Sequence, residues 1–168
     1  WWDSDSSTVY LYPPADSSLP EALVEAVVLP TGLSIQSGAS VQEILIRHFS
    51  TTGVSIASPT TLEDCVVEWI GNVGISVGWN SSPSSVRNCV VRDTFNKGIA
   101  VNQNPSVTAG TTVESNVVER IGMCPGLSGN GTLQGVGIDV TNGNAVLVQS
   151  NRVADTGYAG IQTHSTAA

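Results

Sequence analysis

The sequence predicts an all-β protein: a single-stranded right-handed parallel β-helix (a β-solenoid) of about six coils of 21–24 residues, with an insertion in coil four. A four-residue phrase of glycine, an apolar residue, a small or polar residue and usually a second apolar residue recurs at steps of 21, 21, 24, 39 and 23 residues. A second phrase starts 12 residues before four of these glycines. A period in the low twenties means that each repeat buries its apolar face only by stacking on the next. The phrases begin at Gly32, Gly53, Gly74, Gly98, Gly137 and Gly160, and the second phrase at Val41, Leu62, Val86 and Val148.

Each glycine phrase is predicted to be a β-strand with one face buried. Its apolar positions alternate with a small or polar one and are mostly β-branched, as in Val54-Ser55-Ile56. Successive copies would stack as parallel strands about 4.8 Å apart, and parallel crossovers are right-handed. The middle residue must then face outward, in a column of Ser34, Ser55, Ser76, Ala100, Asp139 and Gln162.

One coil is longer than the others. The fifth copy of the second phrase starts at Val113 and its glycine, Gly137, follows 24 residues later instead of 12. The turn formers within 123–131 predict that the insertion is a loop. We expect one domain, with residues 1–20 as a lead-in and residues 21–168 as the β-helix, truncated at its C-terminal end as a piece of a longer secreted chain. The alternative is a complete small protein whose open end is covered by another subunit.

Net charge, the length of apolar runs and the cysteine spacing limit the classes of partner that the chain can have. Fourteen acidic and 6 basic residues give a net charge of −8, which argues against a nucleic-acid partner. No apolar run reaches the length of a membrane helix, so we expect no membrane insertion. The three cysteines lack metal-site spacing. Cys65 and Cys89 share a column, where stacked thiols are favoured over a disulfide, and Asn116 and Asn151 continue it as an asparagine ladder.

Most charged residues fall into cross-coil columns of alternating sign. Opposite charges on adjacent strands attract, so these columns predict ion-pair ladders and not catalytic groups. The columns are Glu63, Arg87 and Glu114; Arg47, Glu68, Arg92 and Glu119; and Asp93, Arg120 and Asp155.

The ion-pair columns leave one set of polar residues unexplained. Asp139 is the carboxylate in the outward column, and His164 lies two positions further along the next coil. A carboxylate beside an imidazole suits general acid–base catalysis, so both are predicted to be catalytic. Oxygens here would also suit a calcium ion, and the plainer alternative is a hydrated polar surface. The predicted substrate-binding residues are Asn142, Gln162, Asn102 and Trp79.

Two tryptophans lie near the third glycine phrase. Trp79 follows it, and Trp69 lies in the predicted turn before it. Either would stack on a sugar ring if exposed, or cover a corner of the core if buried.

The pattern of residues 86–93 (Val-Arg-Asn-Cys-Val-Val-Arg-Asp), followed by 98–101 (Gly-Ile-Ala-Val), resembles the right-handed parallel β-helix repeat of the pectin lyase-like superfamily. The opening, Trp2-Asp3 and then 8–13, is similar to the segment that leads into many large secreted β-helix proteins. The resemblance implies an extracellular or cell-surface protein that acts on polysaccharides, with its site on the outer face of one sheet.

The chain departs from the enzymes of that superfamily. It lacks the paired aspartates with Gly-His-Gly of polygalacturonases and the Tyr-Gly-x-Asp-Pro-His of alginate epimerases. The outward column also holds no Arg or Lys, which a pectate-lyase-like mechanism would want.

Two functions therefore stay open. The leading hypothesis is a segment of an extracellular carbohydrate-active protein that binds or processes a polysaccharide along one sheet face, as a polysaccharide lyase or glycoside hydrolase if it is an enzyme. The alternative is a non-catalytic structural or adhesive β-solenoid of a cell surface, filament or phage spike, with end-to-end self-association through its open ends.

Overall fold

The structure is a computed structural model that describes residues 2–3, 8–9, 28–36, 38–81, 83–106, 108–123, 134–143 and 145–165. These residues form β-strands and turns, with no helix among them, and so none that could cross a membrane. Strands β1 (Trp2–Asp3) and β2 (Thr8–Val9) pair antiparallel. The rest of the predicted lead-in, Cys124 and most of the inserted loop lie outside the described residues.

Three parallel sheets form the sides of the solenoid, which confirms the predicted parallel β-helix. Strands are numbered in chain order. The glycine sheet contains the glycine phrases: β3 (Thr31–Ile35), β6 (Thr52–Ile56), β9 (Val73–Val77), β12 (Lys97–Asn102), β15 (Val136–Thr141) and β18 (Ala159–His164). The second sheet contains β4 (Ala39–Gln42), β7 (Thr60–Glu63), β10 (Ser85–Arg87), β13 (Thr112–Glu114) and β16 (Leu147–Gln149). The third contains β5 (Leu45–Phe49), β8 (Val66–Ile70), β11 (Val90–Thr94), β14 (Val117–Ile121) and β17 (Arg152–Thr156).

The described strands make five full turns and begin a sixth. The register matches the sequence repeat: Ile75 pairs with Ile99, and Ile99 with Ile138. These inward residues are fully buried, with valines and isoleucines of the other two sheets completing one continuous core. The insertion falls where it was predicted. Fourteen residues separate β14 from β15. In the other coils, only two residues separate the third-sheet strand from the glycine-sheet strand that follows it.

The turn between the second and third sheets repeats from coil to coil because each coil places one residue there in the left-handed region, including Asp64 (φ 52°) and Asn88 (φ 52°). The next residue points inward and forms the predicted column. Asn116 accepts from the Cys89 N–H at 2.9 Å and donates to the Val86 carbonyl at 3.0 Å, and Asn151 continues the ladder.

Cys65 and Cys89 are free buried thiols, as predicted. Each thiol donates to the carbonyl two residues before it, Glu63 and Arg87 respectively. Burial raises the pKa of Cys89 to about 12, which makes it an inert core thiol.

The predicted ionic ladders form. Arg87 binds Glu63 at 2.9 Å, Arg92 binds Glu68 at 2.7 Å, and Arg120 binds both oxygens of Asp93. Each of these pairs joins neighbouring strands of the second or the third sheet across coils.

Candidate functional site

Asp139 is the fourth residue of β15, near the middle of the glycine sheet. The register places Ala100 on one side of it and Gln162 on the other, as the outward column predicted. Although this column faces outward, Asp139 is only 1% exposed. Its carboxylate therefore lies beneath other side chains and not on a hydrated surface.

Lys97 covers one carboxylate oxygen. It begins β12, and its Nζ lies 2.5 Å from Asp139 Oδ2. The small side chain of Ala100, directly beside Asp139 in the register, leaves room for the lysine to reach across. The outward column itself holds no Arg or Lys, as predicted, but Lys97 reaches its carboxylate from a neighbouring column. Sequence reasoning missed this residue. The one signal for it in the sequence is that Lys97 is the charged residue among those that directly precede the repeated glycines.

His164 covers the other oxygen. It ends β18, and its Nε2 lies 3.1 Å from Asp139 Oδ1 and 3.0 Å from Thr141 Oγ1. An Nε2–H tautomer donates to the carboxylate and leaves Nδ1 as an acceptor. The predicted neighbours Asp139 and His164 thus meet, and with Lys97 they form what we call the Lys97–Asp139–His164 cluster.

The members of the cluster differ in accessibility. The Lys97 and His164 side chains are 20% and 25% exposed, whereas that of Asp139 is 2% exposed. A molecule approaching the sheet therefore meets the ammonium and the imidazole first, and Asp139 fixes their positions from below.

The other predicted residues surround the cluster to different degrees. Gln162 lies next to Asp139 in the register, and its Oε1 is buried without a hydrogen-bond partner among the described residues. Asn102 is exposed and shares a column with Thr141 and His164.

Asn142 adjoins the cluster through its backbone, since its N–H donates to the His164 carbonyl at 2.9 Å, whereas Trp79 lies beyond the end of β9. Asn142 is buried in the turn after β15 with a φ of 56°, and it lines a cavity with Val140 and Val146. It does not share the outer face with Asp139, because the strand's alternation turns it inward. Trp79 is 42% exposed beyond the end of β9, so it does not cover the core.

Comparison with known proteins supports the architecture. The profile of the family described as "Right handed beta helix region" matches residues 29–168. The chain belongs to this right-handed β-helix family. This agrees with the resemblance to the pectin lyase-like superfamily, and the match covers every strand of the three parallel sheets. Neither the curated proteins nor the solved structures that were searched gave a match.

For this β-helix, calcium binding at Asp139 stays a prediction. The described residues contain no group of three or more His, Cys, Asp or Glu side chains placed to hold a metal ion. Both Asp139 oxygens face nitrogen donors, and the Lys97 ammonium at 2.5 Å would repel a cation. A calcium ion at Asp139 would have to displace these nitrogen groups from the carboxylate.

The cluster does fit proton transfer. A buried carboxylate that receives a hydrogen bond from an imidazole fixes the tautomer and orientation of the ring, and stabilises the ring when it gains a proton. An ammonium has three donors, and Asp139 accepts from one of them. The arrangement therefore presents a positioned base and a positioned cation side by side on the outer face of the glycine sheet.

Proposed function

We propose that this chain is a segment of an extracellular β-helix protein that binds and processes a polysaccharide along its glycine sheet. The observation that carries the proposal is the buried Asp139, which holds two partly exposed nitrogen groups together on an otherwise largely hydroxyl-bearing or apolar column. His164 is the acid–base residue, Lys97 binds an anionic oxygen, and Asp139 is the positioning residue. This changes the role first expected for Asp139, because it is too buried to meet a substrate directly.

Within this proposal, lyase chemistry is favoured over hydrolysis. Glycosidases ordinarily need two carboxylates across the scissile bond, and the described part of this face supplies Asp139 alone. In β-elimination, His164 takes the C5 proton of a uronate and the C5–H electrons form the C4–C5 double bond. The C4–O bond breaks, and the leaving oxygen takes up a proton. Lys97 balances the charge that develops on the uronate carboxylate.

The test is turnover of polygalacturonate, alginate and hyaluronan. Elimination yields a new ultraviolet-absorbing double bond together with new reducing ends, whereas hydrolysis yields reducing ends alone. We expect His164→Gln and Lys97→Met to lower kcat by roughly a hundredfold or more. Ser55→Ala, in the outward column three strands away from Asp139, is the control on the same sheet. Unchanged kcat in both cluster variants would refute the assignment.

Asp139→Asn serves as a second probe. It should also abolish turnover, but its burial and pairing mean that it will lower stability as well. Activity in this variant is therefore measured well below its melting temperature, so that loss of chemistry is separated from unfolding.

A second function is favoured by the ladders. Glu68, Asp93 and Glu119 are each paired with arginine, as a purely structural or adhesive solenoid requires. If no polymer is cleaved or bound and light scattering shows concentration-dependent stacking, this second function replaces the first.

A further inference from the structure

Trp69 occupies an unusual position in the solenoid. It lies in β8 with a φ of 55°, a conformation that is rare for a bulky aromatic residue, and it is 52% exposed. In each of the other four third-sheet strands, the same left-handed position holds a polar or charged residue: His48, Asp93, Arg120 and Asp155. Neither core packing nor a charge ladder accounts for a tryptophan at this place.

The surface beside Trp69 is concave and aromatic. A cavity of about 400 Å³ is lined by His48, Phe49, Ser50, Trp69, Gly71 and Phe95. A smaller one of about 100 Å³, on the other side of Trp69 and Phe95, reaches Asp93 and Arg120. Gly71 packs closely on the preceding coil at this surface, where a Cβ would lie 2.2 Å from the Ser50 carbonyl oxygen. We call this surface the Trp69 groove.

We propose that the Trp69 groove is a stacking subsite for one hexopyranose ring of a glycan, with Trp69 as the platform and Phe95 as the side wall. The proposal rests on the proposed function for the polymer that supplies the ring. The C–H groups on one face of a pyranose carry partial positive charge and are apolar, and the face of an indole carries the negative part of its quadrupole.

The size of the groove selects this occupant. A volume of about 400 Å³ is in the range of small-ligand pockets. A stable protein partner would need roughly 800 Å² of buried surface on each side, far more than one tryptophan and its few neighbours provide. At the rim, Arg120 binds both Asp93 oxygens, and its side chain stays 42% exposed. It can therefore also donate to ring hydroxyls.

The chain also connects the groove to the catalytic candidate. Phe95 is followed by Asn96 and then by Lys97 of the cluster, so a glycan seated on Trp69 continues onto the glycine sheet. Asn96 donates to Asn72 at 2.7 Å, and its own Oδ1 is buried without a partner among the described residues. Asn96 thus lies in the chain between the two sites and is held by the preceding coil.

The experiment is isothermal titration with three hexasaccharides: hexagalacturonate, cellohexaose and chitohexaose. At least one is expected to bind, and Trp69→Ala should weaken that binding by roughly tenfold, the size of one aromatic stacking contact. Trp69→Phe should keep most of the affinity. Tyr158→Ala is the matched control, because Tyr158 is also an exposed aromatic side chain (66%) but lines neither cavity of the groove. Far-UV circular dichroism verifies that each variant is folded.

The outcomes separate the two proposals. Binding lost in Trp69→Ala but unaffected by Lys97→Met or His164→Gln, with no turnover, supports the subsite and refutes the cluster's catalytic role. Turnover and binding that depend on the cluster and not on Trp69 refute the subsite. Binding by none of the three hexasaccharides, or equal losses in Trp69→Ala and Tyr158→Ala, also refutes it. So does binding of tetramethylammonium alone, since a cation would then be the occupant.

Discussion

Replacing Gly74 by alanine tests how tightly the coils stack. A Cβ at Gly74 would lie 2.5 Å from Val91 Cγ1 and 2.7 Å from the Gly98 carbonyl oxygen. The valine is fully buried and the carbonyl belongs to the adjacent glycine-sheet strand, so neither yields without moving a strand. Overpacking of this kind costs about 1–3 kcal/mol, and the two close contacts place Gly74→Ala at about 3 kcal/mol.

Gly160 offers a matched control at the same position of the repeat. A Cβ there meets its nearest neighbour, Val153 Cγ1, at 3.7 Å, which is ordinary van der Waals contact. Gly160→Ala should therefore be neutral, or stabilise by about 0.4–1 kcal/mol through the unfolded chain.

The assay is urea unfolding of the 168-residue chain followed by circular dichroism, supported by thermal melts. The two variants should differ by about 3 kcal/mol in unfolding free energy, or by about 6–12 °C in Tm for a chain of this size. Equal effects in Gly74→Ala and Gly160→Ala would refute the steric argument and assign the repeated glycine a purely conformational role.

Two further outcomes follow from the side-chain ladders. Asn116→Ala leaves the Cys89 N–H and the Val86 carbonyl without their partner in the interior, so it should lower the free energy of unfolding in urea by about 2–4 kcal/mol. Asn151→Ala, at a half-buried site, should lower it by less, and equal losses would contradict the ladder. Hydrogen bonds from Arg152 and Arg120 lower the pKa of Glu119 below its ordinary value of 4.5, so its contribution is present above that pH and is lost as the pH falls through the folded-state pKa. Glu119→Gln should flatten this acid-side loss in melts taken across that range, and an unchanged pH profile would show that the pairing adds nothing to stability.

The fold was predictable because of the period itself. When every coil has nearly the same length, equivalent residues become direct neighbours. The register that places Arg92 between Glu68 and Glu119 therefore follows from counting residues alone. The extra 12 residues after β14 were found in the same way, since an insertion changes one spacing and leaves the register of the later strands intact. What counting did not give was the division into three sheets, which depends on left-handed residues at the corners such as Asp64 and Asn88.

The candidate site was predictable only in part. Asp139 and His164 were placed together because they occupy neighbouring columns on adjacent strands. Lys97 was missed because its contact runs diagonally across a strand and depends on the side-chain length of lysine and the small size of Ala100. Asn142 was misplaced for a different reason: it lies three residues after the outward-facing Asp139, so alternation already turns it inward, and with a φ of 56° it belongs to the turn after β15.

The pairing at Asp139 has a physical consequence that the surface ladders do not share. An exposed ion pair contributes about 0–1 kcal/mol, and a buried pair gives no more stability than well-packed apolar residues of the same volume. Replacing Asp139, Lys97 and His164 together by well-packed apolar residues would therefore leave the solenoid about as stable. What apolar residues cannot do is hold the Lys97 ammonium and the His164 imidazole at fixed positions, 2.5 and 3.1 Å from one carboxylate, with both side chains open to solvent. The free energy spent on burying Asp139 thus goes into orientation of these two groups, and orientation is what a binding or catalytic face requires.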